Sequence, residues 1–207
     1  MNTVHDAIVI GAGPAGASAA LLLARAGWSV ALLERSSFPR AKVCGEYLSA
    51  SNLPLFDQLG IGTRFRTMAG RPVRKVGLFA GATMAQAELP RPRGAHPEWG
   101  RALAREHLDT WLRDEARAAG VAILQPWTVT DLTELENIHQ CRARSVETEA
   151  TAALAAPIVI AAHGSWEVGR LPTQRLSEKG SDPLPNQVHP AHCGEKTGGL
   201  TPFRTAS

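Results

Sequence analysis

Residues Ala7-Ile8-Val9-Ile10-Gly11-Ala12-Gly13-Pro14-Ala15-Gly16 decide the fold. Four apolar residues in a row are too few for a helix and suit a strand buried on both faces. After the glycines comes Ala17 to Ala26, a run of Ala and Leu with high helix propensity, which Gly27 is expected to stop. Ser29-Val30-Ala31-Leu32-Leu33 reads as a second buried strand, with Glu34 at its end. This is a β-α-β unit, and its parts predict a dinucleotide site. Gly11 permits the tight turn out of the strand. Gly13 lets the backbone approach a pyrophosphate with no Cβ in the way. Gly16 lets the helix pack closely on the strand. The turn, Pro14 and Ala15 included, leads into a helix N-terminus that offers free N–H groups and partial positive charge to phosphates. Glu34 can accept hydrogen bonds from the ribose hydroxyls. This fingerprint does not by itself separate FAD from NAD.

The residues after Glu34 do. They run Arg35-Ser36-Ser37-Phe38-Pro39-Arg40-Ala41-Lys42-Val43-Cys44-Gly45-Glu46-Tyr47-Leu48-Ser49. This E-R-x-x-F-P-R-x-K-x-C-G-x-x-L-S stretch resembles flavoprotein oxidoreductases of the geranylgeranyl reductase type. Those proteins share a superfamily with the aromatic hydroxylase monooxygenases and the flavin halogenases. The resemblance implies an N-terminal fingerprint that binds the ADP half of FAD, in a chain that carries the N-terminal portion only. Arg35 can lie against the adenine or reach the phosphates. Arg40 and Lys42 put cations on the loop that passes over the cofactor. Cys44-Gly45 supplies a small side chain and a flexible backbone where a flat ring is approached. Cys44 also has basic neighbours that favour a thiolate, so it reads either as a structural residue near the flavin or as a reactive one.

Ser49 to Leu59 suits a short helix interrupted near Pro54. Val73 to Phe79 and Ala82 to Leu89 suggest a hairpin around Gly81, and Pro90 to Gly100 an exposed connection. Arg101 to Ala119 is the clearest helix, with Leu103, Ala104, Leu108, Trp111, Leu112 and Ala116 on one stripe. Asp109 and Arg113 can pair at i, i+4. The text from Arg105 to Val121 resembles the same family's R-x-x-L-D-x-x-L-x-x-x-A-x-x-x-G-V helix, which implies that Arg105 contacts the flavin side of the cofactor. Read on its own, without the flanking resemblance, Arg105 is a helix-surface residue paired with Asp109 or facing solvent on the Asp114 side. After Gly120 follow strands at Val121 to Leu124, Trp127 to Leu135, Ile138 to Val146 and Thr148 to Leu154, with a turn at Asn137. A last buried strand, Ile158 to Ala161, ends at Ala162-His163-Gly164-Ser165. The family usually has A-D-G-x-x-S here, a second cofactor motif near the pyrophosphate. His163 stands in place of the aspartate, where it either donates to a phosphate or caps the strand end.

From Glu167 the character changes. The residues to Ser207 hold five Pro and five Gly and no periodic apolar pattern. Such a segment has little with which to offset its ordering entropy, so a disordered or unrelated tail is expected. His189, His192 and Cys193 lack a fourth ligand and a framework, and no metal is expected. No Gly-Asp dipeptide occurs in the sequence, although the family carries one later in the chain.

The expected fold is therefore α/β, an apparently truncated Rossmann-like FAD/NAD(P)-binding domain with an inserted β-rich segment. It would span residues 1–166, with part of a substrate domain inserted at about 68–100 and the tail at 167–207. The expected function is that of an FAD-dependent oxidoreductase, reductase or monooxygenase in type, with NAD(P)H as electron donor and a small apolar or aromatic substrate. The rival readings are a catalytically incompetent dinucleotide-binding fragment and an NAD-dependent dehydrogenase. The cofactor contacts expected are Gly11, Gly13, Pro14, Ala15, Gly16, Glu34, Arg35, Arg40, Cys44, Gly45, Arg105, His163 and Gly164. No catalytic residue is assigned.

Composition agrees with an ordinary globular domain. The 207 residues are 44% hydrophobic and 20% charged, which excludes a collagen-like or wholly disordered chain. The formal net charge of +3 is small and spread along the chain, so nucleic acid is not expected as a partner. No apolar run reaches membrane-spanning length and no basic leader precedes Ala7. Three widely spaced cysteines form no disulfide framework, so a reducing cytoplasm is the expected compartment.

Overall fold

The computed structural model describes residues 3–42, 46–90, 98–164 and 171–174. All of them fall within one compact unit, Met1–Arg175. In chain order the elements are β1 (Thr3–Val4), β2 (Ala7–Ile10), α1 (Pro14–Arg25), β3 (Val30–Leu33), β4 (Tyr47–Leu48), α2 (Leu53–Leu59), α3 (Gly62–Met68), β5 (Lys75–Ala80) and β6 (Thr83–Glu88). There follow β7 (Arg101–Ala102), α4 (Arg105–Ala118), β8 (Ala122–Leu124), β9 (Trp127–Leu135), β10 (Ile138–Ser145), β11 (Thr151–Ala156) and β12 (Ile158–Ala161). Cys44, Gly45 and the expected tail from Glu167, apart from 171–174, lie outside the described residues, as does most of the Pro90 to Gly100 connection.

The centre is a four-stranded parallel sheet in the order β12-β2-β3-β8. Every residue of β2 and β3 is buried, as their unbroken apolar runs require. Alternation along each strand then divides the core in two. Val9, Val30 and Leu32 pack with α1, α2, α3 and α4 through Leu21, Phe56, Phe65 and Leu112. Ile8, Ile10, Ala31 and Leu33 face the other way and pack with Leu132, Cys141, Ala143, Leu154 and Ala156 of the meander. Each fully buried Leu or Ile contributes about 1.5–3 kcal/mol relative to exposure.

The meander β9-β10-β11 is antiparallel and is joined at its edge by β1, which pairs in parallel with β11. Its first turn, Glu136-Asn137, has both residues at positive φ, the geometry of a tight two-residue hairpin. Three layers result: helices, parallel sheet, meander.

Four features differ from the sequence expectation. Pro14, the first helical residue, starts α1 well before Ala17, because proline is pre-set for that position. Helix α2 likewise opens with Pro54 in its first turn rather than being interrupted by it. The helix expected from Arg101 begins at Arg105, because Arg101–Ala102 pairs with Tyr47–Leu48 instead. Helix α3 was not foreseen. The hairpin around Gly81 forms as β5 and β6.

Candidate functional site

In this strand order β2 leads through α1 to β3 on one side, while β12 lies on the other. The sheet therefore has its topological switch point between β2 and β12, and the crevice at their C-terminal ends is where such sheets place ligands. The Gly11–Gly16 turn fills that end of β2.

The three glycines differ in what requires them. Gly11 has φ +103, and a Cβ there would meet the Ala162 carbonyl oxygen at 2.5 Å. A Cβ on Gly16 would overlap the carbonyl oxygen of Gly11 and sit 3.0 Å from the Ala162 side chain. Both are demanded by the chain's own packing. Gly13 is not: its φ of −68 suits any residue. Among the described residues, the nearest atoms to a Cβ at Gly13 are Nη2 of Arg105 at 3.9 Å and Nη2 of Arg40 at 4.0 Å. Gly13 is also the N-cap of α1 and offers no side-chain cap, so the first helical N–H groups point out of the turn uncapped.

Around this turn four charged side chains alternate in sign. Glu34 is 4% exposed. Its carboxylate accepts from the Ala12 N–H at 2.8 Å, the Ser36 N–H at 2.9 Å and Arg40 Nη1 at 3.1 Å. Arg40 reaches on to Asp109 Oδ2 at 3.6 Å. Asp109, fully buried, is held by Arg105 in a two-point contact, Nε at 2.9 Å and Nη2 at 3.0 Å. The Nε of Arg40 is buried and has no hydrogen-bond partner among the described residues. The Phe38 ring lies between the guanidiniums of Arg40 (4.8 Å) and Arg113 (5.3 Å). Arg113 donates to Gln125, and Gln125 donates to the Ser36 carbonyl, so α4 braces the loop that follows β3.

The structure thus brings together Gly11, Gly13, Pro14, Ala15, Gly16, Glu34, Arg40 and Arg105. Arg35 stands apart, exposed at a cleft of about 450 Å³ lined also by Ser36, Thr128, Arg144, Ser145 and Glu149. His163 and Gly164 follow β12 on the far wall of the turn, where His163 Nε2 contacts Thr173 Oγ1 at 3.3 Å. Sequence reasoning missed Asp109 as a site residue: of the two helical partners it offered, Arg113 and Arg105, the structure bears out Arg105. Arg113 binds Asp114 and Gln125 instead, while Asp109 turns inward to Arg105 and Arg40. The signal was available, since an acid beside Leu108 and Leu112 on the apolar stripe is the anomaly that calls for a partner.

Two further groups stand outside this arrangement. Cys141 is buried in the meander core, and burial, with Asp131 adding to it, pushes its thiol up to about 11. The Arg66 guanidinium of α3 holds the Asp57 carboxyl of α2 below the usual range. Among the described residues no helix is long and apolar enough to cross a membrane.

A family sequence profile described as an FAD binding domain matches residues 4–182. The chain belongs to the FAD-binding domain family. A menaquinone reductase of Mycolicibacterium smegmatis is 35% identical over 133 residues, which is 64% of this chain and 32% of that protein. A geranylgeranyl diphosphate reductase of Rhodobacter capsulatus is 34% identical over 116 residues, 56% of this chain and 26% of that protein. Among solved structures, the FAD-dependent myxobacterial chondrochloren halogenase superposes with a TM-score of 0.70 at 25% identity, covering 82% of this chain and 39% of that one. The resemblance to reductases and halogenases read from Glu34 to Ser49 therefore holds, and so does the Rossmann-like α/β fold. The FAD-binding domain described here spans about a third of the length of the curated relatives it matches.

Proposed function

We propose that this chain supplies the FAD-holding part of a flavin-dependent oxidoreductase, of the reductase or monooxygenase type. The observation that carries the reading is the space over Gly13. It lies at a helix N-terminus with no side-chain cap, it is flanked by two guanidinium nitrogens, and nothing in the packing of the described residues requires a glycine there. A pyrophosphate fits that chemistry, because backbone N–H groups, helix dipole and guanidiniums all favour an anion.

Under this reading the Gly11–Gly16 turn, with Pro14 and Ala15, and the side chains of Arg40 and Arg105 hold the pyrophosphate. Glu34 and Arg35 serve the adenosine end, and His163 and Gly164 form the opposite wall. Cys44 and Gly45 are assigned by sequence to the approach of the ring. Bound there, FAD would supply two-electron chemistry between a nicotinamide donor and an unsaturated small molecule or oxygen. The relatives suggest an apolar substrate. Segment 68–100, with its exposed hairpin, is assigned to the substrate side of the domain spanning 1–166.

Flavin-fluorescence titration with FAD, and competition by NAD, tests the reading. FAD should bind more tightly than NAD, and Arg40→Gln or Arg105→Gln should each weaken it by about ten-fold or more, the loss expected of a charge-assisted contact. Tighter binding of NAD, or unchanged FAD affinity in both variants, would refute the assignment.

A further inference from the structure

We propose that Asp109 is a positioning residue, whose buried carboxylate sets Arg40 and Arg105 at the face of Gly13 and so determines how tightly the turn holds a pyrophosphate. The proposal rests on the reading of that turn as the FAD pyrophosphate site.

The geometry converges on one oxygen. Asp109 Oδ2 lies 3.0 Å from Arg105 Nη2 and 3.6 Å from Arg40 Nη2. Those same two nitrogens are the atoms nearest to a Cβ placed on Gly13. Two guanidiniums sharing a small volume repel each other, and a carboxylate between them removes the repulsion while fixing both planes. Arg105 is fixed fully, since Oδ1 takes its Nε at 2.9 Å. Arg40 is fixed from both ends, by Glu34 at Nη1 and Asp109 at Nη2. Glu34 is itself anchored to the Ala12 N–H of the glycine turn. The cations are therefore in place before an anion arrives, which reduces the ordering cost of binding it. Burial explains why aspartate can do this. At 0% exposure it cannot turn to water, so its partners remain fixed with it.

Removing the negative charge of Asp109 has two opposed effects. It makes the site more positive, which favours a phosphate, and it releases the two arginines, which does not. The proposal holds that the second effect wins. The experiment is FAD titration of the full chain by flavin fluorescence, with the thermal midpoint of the apoprotein recorded for each variant. Asp109→Asn should weaken FAD binding by about ten-fold, as loss of an oriented charged contact does. In the Arg40→Gln/Arg105→Gln background the same substitution should change affinity less than about two-fold, because nothing is left for it to position. A residue that merely held α4 in place would give equal losses in both backgrounds, and that result overturns the proposal. So does wild-type or tighter binding by Asp109→Asn.

If Asp109→Asn does not fold, Asp109→Glu keeps the charge and displaces the carboxylate by one methylene. It should bind FAD several-fold more weakly, and wild-type affinity in that variant overturns the proposal. Failure of the underlying reading looks different: the arginine variants themselves would bind FAD as the wild type does.

Discussion

The Gly11–Gly16 turn and the β5–β6 hairpin are both short and local, yet they are held by opposite means. At the turn, both ends are dictated by neighbours. Gly11 lies against Ala162, Gly16 against Gly11, and Glu34 is tied back to Ala12. In the hairpin every residue is exposed, including Leu78 at 73% and Phe79 at 72%, and the ladder from Lys75↔Glu88 to Ala80↔Thr83 links the two strands only to each other. Such a ribbon is marginally stable by itself. The difference teaches which residue choices this domain's own packing explains. It explains Gly11 and Gly16 to a fraction of an ångström, whereas nothing among the described residues calls for Gly13 to be glycine or for Leu78 and Phe79 to be apolar.

The comparison can be broken most decisively at Gly16. Gly16→Ala puts a methyl group into the Gly11 carbonyl, which can be relieved only by shifting α1 against the turn that follows β2. The expected loss is about 3 kcal/mol or more, the range of severe overpacking, read from denaturant midpoints of the apoprotein. An unchanged midpoint would mean that the turn is loose.

Gly13→Ala should do the reverse. Among the described residues its methyl group meets no atom closer than 3.9 Å, so the apoprotein should melt within about 1 kcal/mol of wild type. FAD affinity should fall by about ten-fold or more, because the new carbon stands where the anion must sit. If stability falls instead and FAD still binds, the cradle has been misplaced.

A smaller effect is expected from Cys141. Its folded thiol titrates near 11, above the ordinary value of about 8.5. Between those values the unfolded chain has lost a proton that the folded protein keeps. Stability is thus fully present below about pH 8.5 and declines as pH rises toward 11. Urea midpoints from pH 8 to 11 should fall more steeply for wild type than for Cys141→Ala; parallel lines would show that the thiol is not sequestered.

Least of all should follow from changing the hairpin. The double substitution Leu78→Ser, Phe79→Ser should leave the melting midpoint within about 0.5 kcal/mol and FAD affinity unaltered. A large loss would show that the hairpin is packed on this domain after all.

What was legible in the sequence was contiguous. From Ala7 to Glu34 strand, turn, helix, strand and acid follow one another, so propensity, glycine spacing and burial all agree within one short segment. The α4 stripe was legible for the same reason. What could not be read depends on pairing across distance. Arg101–Ala102 looks like the start of a helix until Tyr47–Leu48 is beside it, and Thr3–Val4 becomes a strand only by joining Leu154–Ala155. Asp109 and Arg113 have ideal helical spacing, but spacing is silent about which side of α4 is covered. The residues that cover it come from Arg40 and the glycine turn, far away in sequence.

Sheet order also bears on when the site comes into being. Between β2 and β3 the chain closes a loop of roughly 20 residues, but β3 and β8, equally close neighbours, are separated by roughly 90. Treated as flexible chain, the longer closure costs about 1.4 kcal/mol more. Glu34 and the glycines therefore belong to the part that can assemble early, while Arg105 and Asp109 arrive with α4, late. An anion held by both parts acts as a staple on an element that docks late. In hydrogen exchange, FAD should slow the amides of α4 more than those of α1, and equal slowing would show that the two helices open and close together.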